Sequence, residues 1–305
     1  MFIINYQQQT TMANFKLTST AIQEKANGKY DWYELELLLP HEAIRIEFLR
    51  AEMAINNMEP IKNPWHILSI HRWFVEFLLP SIHEHHDLEE EVLGPFYANL
   101  GENVEFGQSH KHDELLQQMK DFLDKSKDLC LLVTTPTAPF LLLLEKEEKF
   151  RSSFHSLKNN MFAHLHEEEL YWPGVLQKHG LERAAICQNL LSKRGFGKKG
   201  ADYRAFKAFA GAVFYNAGSG RRIEKSKLPT VASVPGTLQE LPPWCAKEVI
   251  EGVKVRVPLV ARLFILPSWQ RQYERKWKRL IESVSAADHH HKESAKHRFE
   301  TIFHI

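Results

Sequence analysis

Apolar residues recur at intervals of three and four in four separate stretches of the first 180 residues, which is the spacing of amphipathic helices. The stretches predict a helix that starts near Pro40, a helix from about Trp65 to Leu93 with a kink at Pro80, a helix that starts at Ser109, and a helix from about Phe140 to Trp172. No stretch shows the alternation of a β-strand. The sequence therefore predicts an all-α protein, an up-down-up-down four-helix bundle followed by a helical C-terminal extension.

Polar residues continue the apolar stripes of these helices. The second helix has the stripe Val75, Leu79, Ile82, His86, Glu90, Leu93. The fourth helix has the stripe Phe150, Phe154, Leu157, Met161, His164, Glu168, Tyr171. In the first and third helices a histidine begins the stripe, at His41 and His112. An isolated carboxylate is costly to bury, so these positions need a partner that offsets the cost.

A metal centre supplies that partner. In an antiparallel bundle the starts of the first and third helices are level with the ends of the second and fourth, so the polar side chains meet in one layer. The predicted metal ligands are His41, His86, Glu90, His112, His164 and Glu168. Imidazoles and carboxylates without a thiolate suit iron, manganese or zinc. The carboxylates can also bridge two cations and offset their charge.

Neighbouring residues leave alternatives open. His85 and Glu89 have the same four-residue spacing, but they lie off the apolar stripe of their helix. His110 and His166 are each two residues from a chosen histidine and on another face. His83, one turn before the chosen histidine of the second helix, could be a spare ligand or a group outside the ligand set. A single His-x-x-x-Glu is ordinarily a solvated pair; two aligned copies favour the metal.

Charge divides the chain near residue 190. From Leu190 to the end there are 22 basic and 10 acidic residues, whereas residues 1–189 contain 17 basic and 28 acidic ones. We therefore expect an N-terminal extension over 1–27, a four-helix bundle over 28–189 and a basic helical region over 190–305. The favoured interpretation is that the basic region packs on the acidic bundle. The alternative is an interaction module. Trp269–Leu280 mixes aromatic and basic residues, a composition that is compatible with binding to an anionic membrane surface or to nucleic acid.

The three cysteines are far apart and form no Cys-x-x-Cys pattern, which is typical of a reducing compartment. No stretch is long and apolar enough for a transmembrane segment, and the N-terminus lacks the features of a secretory signal. We therefore expect a cytoplasmic protein. The tract His289–His291 is interpreted as a surface segment.

These motifs resemble the hemerythrin-like (HHE cation-binding) family over roughly residues 39–180. The resemblance rests on four pieces in order: His41, His86-x-x-x-Glu90, His112 and His164-x-x-x-Glu168. It implies a four-helix bundle that holds two iron ions in a non-haem di-iron centre. In that case Glu90 and Glu168 bridge the irons, His41 and His86 bind one iron, and His112 and His164 bind the other.

Two positions depart from the oxygen-carrying hemerythrins. Those proteins have a second histidine four residues after that of the third helix, and an aspartate five after the last histidine; this chain has Leu116 and Glu169 there. The ligand set looks more like that of di-iron proteins associated with iron–sulfur repair and nitric oxide stress, and like the iron-sensing hemerythrin domain. The cysteine-containing domain of the repair proteins is not visible in the sequence.

The resemblance implies a protein that binds, senses or reacts with dioxygen, nitric oxide or peroxide, or that stores iron. A di-iron redox enzyme, such as a peroxidase or a nitric oxide scavenger, is the alternative. No catalytic acid or base outside the ligand set stands out.

Overall fold

Every regular element in the described part of the chain is a helix. The computed structural model describes residues 32–104, 109–197, 199–216 and 265–285. The elements are α1 (Trp32–Asn57), α2 (Trp65–Trp73), π1 (Phe74–Leu78), α3 (Leu79–Leu88), π2 (Glu89–Leu93), α4 (Gly94–Ala98), α5 (Ser109–Val133), α6 (Phe140–Gly197), α7 (Gly200–Asn216), α8 (Leu266–Tyr273), π3 (Glu274–Lys278) and α9 (Arg279–Ser285). The prediction of an all-α protein is confirmed for these residues. The predicted N-terminal extension and most of the basic region lie outside them.

The first helix starts eight residues earlier than the sequence predicts. It begins at Trp32, and Pro40 lies inside it. Proline removes one backbone hydrogen bond and crowds the preceding turn. Here the side chains on both sides of the proline, such as Leu38 and Ile44, are buried in the protein. Their packing outweighs the cost of the proline, so His41 lies in mid-helix and not in a first turn.

The predicted second helix is a continuous helical run from residue 65 to residue 98 that contains two π-helical turns. The N–H of Leu79 donates to the carbonyl of Phe74, five residues earlier, immediately before Pro80, which has no N–H to donate. Each π turn adds a residue, which rotates the following side chains around the helix. The buried face of this run passes through Phe74 and Leu78, whereas Val75, which the predicted stripe includes, is 41% exposed.

A sharp bend divides α6 at Gly180. This residue has φ 78° and ψ 172°, a conformation that glycine adopts more readily than other residues. The sequence predicts a helix end near Trp172; the first segment instead continues through Pro173 up to the bend. The second segment, over residues 181–197, packs near α7.

The main core lies between α1, α2, α5 and α6. α6 packs against α1 and α5, and α2 packs against α5. Phe122 of α5 is central to this core, with ring centroids 4.5 Å from Phe74 and 4.8 Å from Phe150. The polar residues of the stripes continue from this core, so their position is fixed by packed aromatic side chains on several helices.

The run α8–π3–α9 packs on α1, α2 and α7. Tyr273 and Trp277 lie against Phe77, with ring centroids 5.5 and 5.7 Å away. The Tyr273 hydroxyl donates to Glu47 and accepts a 2.6 Å hydrogen bond from Arg50. This part of the basic region therefore contacts the helices of the acidic part. α7, which also belongs to that region, packs on α1 and α3. For the residues of the region that the structure does not describe, packing on the acidic part stays a prediction.

None of the described helices combines the length and the apolar character that a membrane-crossing helix needs.

Close packing at Gly211 gives a test of the contact between α7 and α8. A Cβ atom at this position would lie 2.7 Å from the carbonyl oxygen of Trp269, which is backbone and cannot move alone. We expect Gly211→Ala to lower the free energy of unfolding by about 1–3 kcal/mol, measured by chemical denaturation.

The matched control is Gly174→Ala. Gly174 is helical and exposed, and a Cβ there would meet nothing within 4 Å. This substitution should raise stability by roughly 0.5–1 kcal/mol, because alanine favours the helix. Equal effects at the two positions would contradict the close approach of α7 and α8.

Candidate metal centre

Seven buried side chains of metal-ligand type form two adjacent groups. The four-ligand group consists of His41, His85, Glu89 and Glu168. The three-histidine group consists of His86, His112 and His164. Within each group, one ligand atom per residue lies within 4.8 Å of the others. Ligands of an ion such as zinc lie about 2.0–2.2 Å from it, so two of them are at most about 4.4 Å apart. Each group needs only a small contraction to surround an ion.

Glu168 faces both groups. Its Oε1 is 3.2 Å from His164 Nε2 and 3.3 Å from His112 Nε2. Its Oε2 is 3.4 Å from His41 Nε2, on the side of the four-ligand group. One oxygen towards each group is the arrangement that a carboxylate bridging two cations requires.

Glu89 has the same arrangement from the opposite helix. Its Oε1 is 3.4 Å from His85 Nε2 and 3.9 Å from His41 Nε2. Its Oε2 is 3.8 Å from His112 Nε2, in the three-histidine group. The two groups therefore share two carboxylates, and together they define two cation positions.

Several ligand atoms have no hydrogen-bond partner among the described residues. They are His41 Nε2, His85 Nε2, Glu89 Oε2, Glu168 Oε2 and both ring nitrogens of His86 and of His164. A buried polar atom without a partner costs about 1–3 kcal/mol. Cations at the two positions would satisfy lone pairs on both carboxylates and on these histidines. The residues present therefore fit a pair of metal ions.

A second layer of side chains orients His41. Its Nδ1–H donates to Glu169 Oε1 at 3.0 Å. Arg45 in turn donates to both oxygens of Glu169, at 2.7 and 2.9 Å. A histidine that donates from one ring nitrogen to a carboxylate offers the other nitrogen to a metal. Glu169 and Arg45 thus direct His41 Nε2 towards the two carboxylates.

Glu90 lies outside both groups, in contrast to its predicted place among the ligands. Its side chain is 39% exposed, against 5% for Glu89. Glu90 Oε1 accepts a 2.7 Å hydrogen bond from His112 Nδ1, the same kind of contact that Glu169 makes with His41. The physical reason is the register of the helical run: the apolar face passes through Phe74 and Leu78, which brings Glu89 inward and turns Glu90 to the edge.

The other predicted ligands come together. His41, His86, His112, His164 and Glu168 all belong to the two groups. His85 joins them, although the sequence pattern set it aside. Its four-residue spacing from Glu89 is the signal that could have found both residues.

The other alternative histidines stay outside the groups. His83 and His166 are half-buried and belong to neither group. The side chain of His110 and the tract His289–His291 lie beyond what the structure describes.

Burial and neighbouring charges set the protonation of the groups. Burial disfavours the charged form of His41, but the hydrogen bond to Glu169 and the nearby carboxylates of Glu89 and Glu168 outweigh it and raise the His41 pKa to about 9. Burial, reinforced by the charge of Glu168, raises the pKa of Glu89 to about 7. Burial would also raise the pKa of Glu168, yet the hydrogen bond from His112 and the nearby imidazole of His164 hold that pKa well below its usual value.

Two of the other histidines, His85 and His86, are neutral. Burial, together with the positive charge of neighbouring histidines, lowers the pKa of His85 and His86 well below 6.5. Neutral imidazole is the form that binds a metal. His41, by contrast, has to release its Nε2 proton before it can bind a cation, so cation binding is coupled to proton release.

Comparison with protein-family models, with curated proteins and with solved structures finds no match to this chain.

Substitutions of the neighbouring residues Glu89 and Glu90 should affect metal binding differently. Glu89→Ala removes a carboxylate shared by both positions, so we expect the variant to lose at least one of the ions that the unmodified protein holds. Glu90→Ala removes only a partner of His112, so it should keep both ions and bind them about 10–100-fold more weakly. Metal analysis after dialysis, followed by titration with a competing chelator, measures both effects.

Glu91→Ala is the control, because Glu91 is exposed on the same turn. It should match the unmodified protein in metal content and affinity. Loss of metal from the Glu90 variant with full retention by the Glu89 variant would contradict the arrangement described above.

Proposed function

We propose that the protein is a non-haem di-iron protein of the hemerythrin-like kind, in which an up-down-up-down bundle formed by α1, α2–α4, α5 and α6 holds two iron ions. The observation that carries the proposal is the pair Glu89 and Glu168, each with one oxygen towards each histidine-containing group. Two buried carboxylates in that position would repel each other without a positive charge between them. Two cations between the carboxylates would supply that charge.

The ligand set supports iron over softer metals. One ion would be held by His41 and His85, the other by His86, His112 and His164, with both carboxylates shared. Five imidazoles and two carboxylates give nitrogen and oxygen ligands only, which suits iron, manganese or zinc. The resemblance of the sequence to the hemerythrin-like family favours iron among them.

The chemistry follows from coordination positions that the protein does not fill. When bound, two iron ions supply open positions for a small ligand and can change oxidation state. The side chains of this chain hold the ions, exclude water around them and fix the orientation of His41 through Glu169. We infer that the protein binds, senses or reacts with dioxygen, nitric oxide or a peroxide.

Burial of the aromatic residues of the C-terminal run favours this function over the interaction module. Trp269, Tyr273 and Trp277 are at most 5% exposed. They pack among α1, α2 and α7, so their rings are not free to contact a membrane surface or nucleic acid. The run contributes to the packing around the proposed centre.

Metal content tests the proposal. We expect the purified protein to contain about two iron ions per chain and to show the absorption of a bridged di-iron centre. His164→Ala and Glu168→Ala should each lose at least one ion, because each removes a buried ligand. His166→Ala is the control on the same helix and should keep both ions, since His166 lies outside the groups.

Manganese or zinc in place of iron, at the same stoichiometry, would contradict the iron assignment alone. A folded chain without any metal would contradict the whole proposal. Steady turnover of nitric oxide or peroxide that His164→Ala abolishes would identify the protein as a redox enzyme, whereas binding without turnover would identify a sensor or a store.

A further inference from the structure

An apolar pocket lies directly beside the four-ligand group. Its volume is about 140 Å³, and His85 and Glu89 form part of its wall. Most of the remaining lining is aliphatic or aromatic and includes Leu37, Leu93, Leu176, Ala184, Leu191 and Phe209. An enclosed apolar cavity of about 150 Å³ binds xenon or benzene. The pocket therefore has the size and the chemistry of a site for a small apolar molecule.

Part of the wall comes from α7 and from the segment of α6 after the bend at Gly180. Ala184 and Leu191 lie on the segment of α6 that follows the bend at Gly180, and Phe209 lies on α7. The ring centroid of Phe209 is 5.8 Å from that of His85. These helices are thus positioned to complete the surroundings of one cation position, which gives them a role that the four main helices alone cannot fill.

The pocket reaches from the buried ligands to the surface of the described part. His85, Glu89 and Ala184 are buried, whereas Leu93 and Leu191 are half-buried. A small molecule could therefore pass between the leucines and arrive at the His85 side of the centre. The three-histidine group has no residue in the lining of this pocket.

The two other polar side chains in the wall carry no charge. Burial raises the pKa of Cys187 to about 12 and raises that of Tyr97 well above its usual value. The Tyr97 hydroxyl is buried and has no hydrogen-bond partner among the described residues. It can donate one hydrogen bond to a ligand, but the wall offers no set of partners for a strongly hydrated one.

We propose that this pocket binds a small uncharged apolar molecule and delivers it to the cation position formed by His41, His85, Glu89 and Glu168. The proposal rests on the proposed function and narrows it: dioxygen and nitric oxide belong to this class of ligand. Hydrogen peroxide does not, because its two hydroxyl groups would lose their hydrogen bonds in an apolar pocket.

Xenon is the probe that tests the pocket itself. We expect xenon to bind to the purified full-length protein and to shift the NMR resonances of residues around the pocket. Ala184→Leu fills the pocket from the buried end, and Leu191→Phe fills it from the outer end. Both variants should lose the xenon-dependent shifts and keep the metal content of the unmodified protein.

The neighbouring positions supply matched controls. Ala185→Leu and Leu190→Phe make the same changes on the exposed side of the same helix. They should bind xenon like the unmodified protein. With ferrous iron bound, the filled variants should also combine with nitric oxide more slowly than their controls, in anaerobic stopped-flow measurements.

The experiments distinguish a wrong proposal about the pocket from a wrong proposal about the metal centre. A metal-loaded protein that binds no xenon, or filled variants that match their controls in xenon binding and nitric oxide kinetics, would overturn the pocket and leave the centre intact. A protein that binds xenon but no metal would overturn the proposed function and the delivery role together. Because two substitutions fill the pocket from different ends, misfolding of one variant leaves the other to decide.

Discussion

Two carboxylates buried face to face constrain the middle of this protein. Glu89 and Glu168 come from different helices, and each has oxygens within 4 Å of histidines on both sides. Negative charges brought together in a buried place need compensation, and five imidazoles surround the pair in positions from which they could hold cations. Each of these histidines depends on a different packing contact, so α1, α3, α5 and α6 must all be in register for the groups to form.

Two further features lie next to the carboxylates and their histidines. On one side, Arg45 holds Glu169, and Glu169 holds His41, so the inner ligand depends on a charged network within α1 and α6. On the other side, the segment of α6 after Gly180 and the helix α7 line the apolar pocket next to His85. The ligand atoms are thus fixed on the polar side and open to small molecules on the apolar side. A centre that binds an apolar ligand needs both properties.

The hydrophobic periodicity of the sequence predicts some of the site residues and misses others. Spacings of three and four place His112, His164 and Glu168 on inward faces, and the structure has them there. In the second helix the π turns add residues that the spacing does not show, so the stripe through Val75 leads to Glu90, whereas the packed face through Phe74 leads to Glu89. The start of α1 depends on burial around Pro40, a tertiary effect that local preferences oppose. The pocket requires contacts between α6, α7 and the π2 turn, which no local pattern contains.

Anomalous diffraction at the iron absorption edge, from crystals of the iron-loaded full-length protein, tests the two-cation arrangement most directly. We expect two peaks about 3.5–4 Å apart. One should lie against His41 and His85, the other against His86, His112 and His164, with Glu89 and Glu168 between them. A single peak, no peak, or a pair bridged by Glu90 in place of Glu89 would contradict this account.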